Sequence, residues 1–428
     1  MPGKRSYIIS FTVFLALLLT IGATLFYFNA RPIPKLLTVT LEDVPAAGSD
    51  GFRRTMENIV GSPILPGNRI EMLKNGEEIF PAMLAAIASA ERSITLESYE
   101  FFGDEVPKNF VDALVERAEA GVPVHVVLDF IGSQQADPEH FERMEKAGVN
   151  LVRWRKPVWY QSDRFNFRTH RKLLVVDGEI GFTGGANLAD PWLGNPETGG
   201  YRDNHFRFRG PIVAQLQAAF MENWLVSRGE LLLGKAYFPE LEYDGEIVSQ
   251  LVQSSPKEGA KNIRTTYLIG IGGARDHIRI AAAYFYPDPG LKQALIDAAE
   301  RGVTVDILLP GEKMESMFVR YATRNLWGPL LEAGIRIHEY DKTMYHAKAV
   351  IIDESWATIG SANFDNRSLR INDETNINIF CPDFVSSLIE QFDNDIAIST
   401  TYDLERWEDR AWHERFRGWL GNAIGSQL

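Results

Sequence analysis

The feature that most restricts what this chain can become is a pattern written twice. Residues 168–178 read RTHRKLLVVDG, and residues 345–354 read YHAKAVIIDE. Each holds a histidine, a lysine two residues on, an apolar run and an aspartate: His170, Lys172 and Asp177, then His346, Lys348 and Asp353. Seventeen residues past each histidine stands an asparagine, Asn187 in GFTGGANL and Asn363 in ATIGSANF. An apolar run closed by a turn reads as a buried strand. Alternate residues of a strand share a face, so each histidine and its lysine should point the same way. A core strand has no reason to carry these four polar residues in one register twice.

The repeat extends upstream. SITLESYEFFGDEVPKNFVDALVERAEAGVPVHVVLD and HIRIAAAYFYPDPGLKQALIDAAERGVTVDILLP both read as strand, loop, amphipathic helix, glycine turn and strand. Gly121 and Gly302 follow the two helices, where a helix C-terminus favours glycine. MEKAGVNLVRW is answered by LEAGIRIHEY. Two copies of a layered β-α-β unit predict an α/β fold of two homologous repeats. The expected form is pseudo-twofold, with mixed sheets flanked by helices and the functional site at the seam. The 428 residues give each repeat enough chain to bury a core. The expected division is 1–36 tail and transmembrane helix, 37–64 linker, 65–235 first repeat, 236–400 second repeat and 401–428 C-terminal amphipathic tail.

Residues 6–28, SYIISFTVFLALLLTIGATLFYF, carry no charge. As a helix they would reach roughly 34 Å, against a hydrocarbon core of about 30 Å. Tyr7, Tyr27 and Phe28 lie near the ends of the run, where interfacial rings are favoured. FYFNARP offers no small-x-small cleavage site, so the expectation is a retained single-span anchor in the cell (inner) membrane. The very short N-terminal tail favours an extracytoplasmic catalytic part. Net charge is −13, which argues against nucleic-acid binding through general basicity. The lone cysteine, Cys381, excludes an intrachain disulfide and a cysteine metal cluster.

The paired motifs hold the parts of a phosphoryl-transfer site. A neutral imidazole can attack phosphorus and form a covalent intermediate. A second, protonated imidazole can supply the leaving alcohol's proton and later take one from the acceptor. Lys172 and Lys348 can neutralise the developing charge, and Asn187 and Asn363 can add hydrogen bonds to the same oxygens. No His-His-carboxylate cluster stands at ligand spacing, so neither metal nor cofactor is expected. Asp177 and Asp353, at the far ends of their strands, read as structural residues that bond nearby backbone.

HRKLLVVD and HAKAVIID, with TGGAN and GSANFDNRSL, resemble the paired HKD motifs of the phospholipase D superfamily. The stretch 65–400 is similar to its bacterial cardiolipin synthase branch, through GNRIEMLKNGEEIFPAMLAAIASAERSITLESYEF, YRDNHFRFRGPIV and MYHAKAVIIDESWATIGSANFDNRSL. The resemblance implies that an acidic residue from the opposite half holds each histidine: Asp203 in YRDNH and Glu374 in NDETN, with Asp373 as a competing candidate. It also makes His170 the expected nucleophile. The implied activity is transfer of a phosphatidyl group, from a donor such as phosphatidylglycerol, to the headgroup hydroxyl of another phospholipid, with release of glycerol or another alcohol. The alternatives are a phospholipid hydrolase and, in a different substrate class, a nuclease. Expected partners are anionic phospholipids and the membrane, with no nucleic acid; the sequence leaves the oligomeric state open.

Two further stretches admit two readings each. Around the first motif, Arg153, Arg155, Arg168 and other cations alternate with Trp154, Trp159, Tyr160, Phe165 and Phe167. That loop would either face anionic headgroups or pack on its own domain. Trp412, Phe416, Trp419 and Leu420 share one helix face, suited to an interface or to packing on the enzyme body.

Overall fold

A computed structural model describes residues 11–17, 19, 20, 22, 41–156, 166–255 and 260–422. Most of the 6–28 run, and so the expected membrane span, lies outside these residues. Residues 11–17 are helical. Among the described residues no helix is long and apolar enough to cross a membrane.

Apart from two small pairs, Phe101–Phe102 with Leu188–Ala189 and Phe285–Tyr286 with Phe364–Asp365, the described strands form one sheet of 16, built from two half-sheets of the same order. The first runs Leu65–Lys74, Asn204–Arg209, Ile180–Gly184, Leu173–Val176, Ile94–Ser98, Val124–Asp129 and Asn150–Trp154. The second runs Ile247–Ser255, Glu374–Ile379, Trp356–Gly360, Ala349–Ile352, His277–Ala281, Thr304–Pro310 and Arg336–Tyr340. Register is repeated as well as order. Ile94 faces Val176, and Ile278 faces Ile352, each partner six residues past its histidine. Within the large sheet, parallel pairing between the described strands falls on strands joined by helical crossovers, as such connections require. The motif strands pair antiparallel on both sides.

The halves join through strand Leu65–Lys74. Its Arg69–Lys74 segment pairs with the first half, while Leu65 and Asn68 pair with Ser249 and Ile247 of the second. The ladder is irregular between Leu65 and Asn68, and buried Asn68 satisfies backbone groups freed there. Its Nδ2 donates to the Leu65 and Ile247 carbonyls at 2.6 and 3.1 Å, and its Oδ1 accepts from Ile212 N at 2.8 Å.

Among the described residues, three large apolar cores follow from the layering. One lies within each half, and a third crosses the seam beneath helices Ile212–Arg228 and Pro382–Ala397. The helices expected from the repeat are present as Glu105–Glu119 and Pro289–Glu300. Gly121 and Gly302 follow them at φ 89° and 92°, in the left-handed region where a side chain would be strained. The 37–64 segment, read from sequence as a linker, contains helix Asp50–Val60. Its Phe52, Met56 and Val60, four residues apart on one face, are buried in the second half's core. Strand Thr400–Tyr402 likewise adds the start of the C-terminal tail to the edge of the second half.

Candidate active site at the seam

The histidines and lysines do not lie on the motif strands, which begin at Leu173 and Ala349. This corrects the expectation of a shared strand face. The residues before each strand leave their own sheet and pair with the other half. Thr169 bridges Asp373, and Tyr345 bridges Arg202. His170 N donates to the Asp373 carbonyl at 2.9 Å, and His346 N to the Arg202 carbonyl at 2.7 Å. Each histidine is therefore anchored by backbone roughly 200 or 140 residues away in sequence, a pairing the local pattern does not encode.

That anchoring sets each histidine beside the next residue of the opposite strand. His170 Nδ1 lies 3.0 Å from Glu374 Oε2, and His346 Nδ1 lies 2.7 Å from Asp203 Oδ2. Both carboxylates are fully buried. Asp373, the competing candidate, offers His170 only its backbone; its side chain pairs with Arg155 at 3.5 Å. A carboxylate on Nδ1 fixes the tautomer and leaves Nε2 as the reacting nitrogen. Tyr99 packs against the His170 ring at 5.2 Å, and Trp192 meets the His346 ring edge-on at 4.9 Å.

Lys172 Nζ donates to the His170 carbonyl at 2.8 Å, and Lys348 Nζ lies 2.9 Å from His346 Nδ1. Both histidines and both asparagines line a single cavity of about 320 Å³. Asn187 exchanges hydrogen bonds with Glu100, donating to Oε2 at 2.9 Å and accepting from N at 3.2 Å. Asn363 receives no such clamp among the described residues: its N donates to Ser368 Oγ at 3.2 Å, and its buried Oδ1 has no hydrogen-bond partner among them.

Burial dominates the electrostatics. It pushes His170 down to about 4 against the pull of Glu374, and it lowers His346 with help from Lys348. It also lowers Lys172 to about 7 and Lys348 to about 8, despite the nearby carboxylates. Burial alone would raise Asp203 and Glu374, but their histidine and lysine neighbours hold both below the usual carboxylate range. The free site thus favours neutral imidazoles and ionised carboxylates. An arriving phosphodiester anion works the other way on the cations, favouring their charged forms.

Comparison with known proteins agrees with this arrangement. A family described as "Cardiolipin synthase, PLD-like domain" matches residues 83–224 and 267–396, one stretch in each half. The chain belongs to this family. A cardiolipin synthase of Geobacillus kaustophilus is 35% identical over 358 residues, covering 82% of this chain and 71% of that one. The major cardiolipin synthase of Bacillus subtilis is 33% identical over 352 residues, covering 80% and 72%. A phosphatidylserine synthase from Haemophilus influenzae shares the fold, with TM-score 0.68 at 14% identity, covering 88% of this chain and 99% of that one.

Within this phospholipase D-like fold all eight expected site residues converge: both histidines, lysines and asparagines, with Asp203 and Glu374. Asp177 and Asp353 stand apart at the far strand ends, at φ 55° and 53°. Asp177 accepts from the backbone of Glu91, Arg92 and Ser93, and Asp353 from Arg275, Asp276 and His277. Of the basic-aromatic stretch, residues 157–165 lie outside the described set. Arg153 stacks on Phe130 and Phe141, and Arg171 is fully buried against Glu222, Ser255 and the Ala219 carbonyl. Arg168 instead lines the cavity.

The sequence reading missed Glu100, Tyr284, Glu315 and Arg367, which also line the cavity. Glu100 and Tyr284 occupy matching places, six residues past Ile94 and Ile278, so a closer alignment of the repeats would have exposed them as an unlike pair. Glu315 accepts from Tyr284 Oη at 2.7 Å. Burial lifts Glu100 to about 7, with Glu315 pushing the same way. Among the described residues no cluster of three or more His, Cys, Asp or Glu side chains is arranged to hold a metal ion.

Proposed function

We propose that the protein is a membrane-anchored phosphatidyltransferase of the cardiolipin synthase type, with the apolar 6–28 run as its single-span anchor. The observation that supports this most is the meeting of both histidines in one cavity, each beside its own lysine and backed by a carboxylate of the other half. Nε2 of His170 attacks the phosphorus of phosphatidylglycerol. A His170–phosphorus bond forms, the bond to the glycerol oxygen breaks, and His346 supplies the proton to that oxygen. The headgroup hydroxyl of a second phosphatidylglycerol then gives its proton to His346 and attacks phosphorus, releasing His170. Two phosphatidylglycerols become one cardiolipin and one glycerol, and the phosphohistidine conserves the bond energy, so no nucleotide is needed. Lys172 and Lys348 face the phosphoryl oxygens throughout.

The test is product analysis with the purified full chain and phosphatidylglycerol labelled in its glycerol headgroup. Cardiolipin and free glycerol should appear in equal amounts. Phosphatidic acid with no cardiolipin would replace the transferase reading with hydrolysis.

A further inference from the structure

One exposed surface plays no part in the site chemistry. Helix Trp412–Asn422 lies against helix Met317–Arg324 through glycines. A methyl group at Gly418 would stand 2.7 Å from the Tyr321 carbonyl, and one at Gly421 would meet the Ala322 side chain at 2.5 Å. At about 100° per residue, Trp412, Phe416, Trp419 and Leu420 occupy an arc of roughly 100° opposite those glycines. They remain 78%, 52%, 64% and 43% exposed. Phe416 and Trp419 stack on each other with centroids 6.0 Å apart, turned to solvent. Arg415 flanks the arc on one side and Arg417 on the other, both exposed. Each makes a local hydrogen bond, to the Arg410 carbonyl and to Tyr321, and a guanidinium has donors left over for a second partner. Glu414 is turned toward the body, 3.9 Å from Arg324; the exposed Glu405, Glu408 and Asp409 belong to the preceding helix and turn.

This surface continues to the mouth of the active site. Helix Met317–Arg324 exposes Met317 and Phe318, while its Val319 and the adjoining Glu315 and Ser316 line the catalytic cavity. Apolar rings flanked by arginines, in a chain of net charge −13, match one partner: the surface of a bilayer containing anionic lipid. We propose that the Trp412–Asn422 and Met317–Arg324 helices form an interfacial docking surface that seats the cavity mouth on the membrane. A phosphatidylglycerol headgroup then reaches His170 while its acyl chains stay in the bilayer. The choice of lipid rests on the proposed function, whereas the docking can be tested without turnover.

The full chain carrying Cys381→Ser is given a single labelling site, Phe416→Cys or, as a control in the first half, Glu119→Cys. An environment-sensitive dye is attached and the protein reconstituted into phosphatidylcholine–phosphatidylglycerol vesicles with acyl chains that carry a quencher. The dye at 416 should be quenched at least about twofold more than at 119, as expected for rings buried at the acyl boundary. Equal quenching at both positions overturns the proposal. So does shielding of the dye at 416 that grows with protein concentration without quenching, which would mark a second copy of the chain as the occupant. Separately, the triple change Trp412→Ser, Phe416→Ser and Trp419→Ser should raise the KM for vesicle phosphatidylglycerol roughly tenfold. Turnover of a short-chain, monomeric phosphatidylglycerol should not change. An unchanged vesicle KM overturns the proposal. If the wild-type chain makes no cardiolipin, the functional reading fails while the quenching still judges the surface.

Discussion

The two corners of the site are copies in register and differ in how each histidine is backed. At His346 the acid is the shorter Asp203, which also accepts from Trp192 Nε1 and Asn204 N, each at 2.8 Å. Its carboxylate sits so close to the neighbouring turn that a side-chain carbon at Gly185 would overlap it. At His170 the acid is the longer Glu374, and the residue matching Gly185 is Ser361, whose Oγ donates to Glu374 Oε2 at 2.5 Å. The asparagines divide in the same way: Asn187 is clamped by Glu100, while the matching Tyr284 turns to Glu315 and Asn363 Oδ1 has no partner among the described residues. Duplication supplied the frame, and divergence at a few positions made two environments from it. A nucleophile and a proton donor need such a difference, because one must be neutral while the other is charged.

The largest effects come from breaking one corner at a time. His170→Ala should abolish both turnover and covalent labelling by a phosphatidyl donor. His346→Ala should slow turnover of natural lipid roughly 10²–10⁴-fold, the usual worth of a general acid, yet still allow labelling by a donor whose leaving group needs no proton. The readout is acid-labile, base-stable label on denatured protein; label retained only in His170→Ala would exchange the roles. Next in size is Gly185→Ser, which imposes the second corner's residue on the first. Displacing Asp203 should cut kcat by roughly 10²-fold, an effect expected when a positioning group shifts by about an ångström. Normal kcat would show that Asp203 tolerates the displacement.

The pH profile separates the corners more gently. His170 reacts when neutral, so kcat/KM should be sustained above about 4 and fall below it. In the proposed mechanism His346 and both lysines act when protonated, so it should also fall as pH rises. The fall comes first as His346, held below the usual imidazole value by burial and Lys348, loses its proton, and further through about 7 to 8 as the lysines lose theirs. Glu374 favours protonation of His170, so Glu374→Gln should move the acid limb to lower pH, whereas Asp203→Asn should leave that limb in place. An acid limb that follows Asp203 instead would assign it to His346. The smallest effect is expected from Ser361→Ala. It removes one donor to a buried carboxylate that keeps its histidine, and kcat should drop roughly three- to tenfold, within the usual net worth of one hydrogen bond. A wild-type rate would show that Ser361 contributes nothing to holding Glu374.

What could be read in advance was whatever the repeat carried in its own register: the two half-sheets, the histidines, lysines and asparagines, and the helix stops at Gly121 and Gly302. Asp203 and Glu374 came from family resemblance, since no local spacing links residues so far apart. The competition between Asp373 and Glu374 was decided by an isolated backbone bridge, which turns the Asp373 side chain toward Arg155. Helix Asp50–Val60 lies in the segment expected to be a linker; the sequence reading missed the four-residue spacing of Phe52, Met56 and Val60, and that spacing does not say which half the helix joins. Nor was the bend at Asn68 that carries one strand between half-sheets, because a period-two pattern does not record a change of partner.

The exchange of backbone and carboxylates across the seam also bears on how the protein is made. A nascent chain that has just released the first motif holds His170, Lys172 and Asn187, but the strand bearing Glu374 has yet to be synthesised. Asp203 emerges long before the histidine it is to hold. Neither histidine gains its carboxylate until almost the whole sequence has left the ribosome and the halves have closed on each other. Unfinished chains therefore lack the assembled pairs of histidine and carboxylate, and the two corners of the site are completed together with the fold.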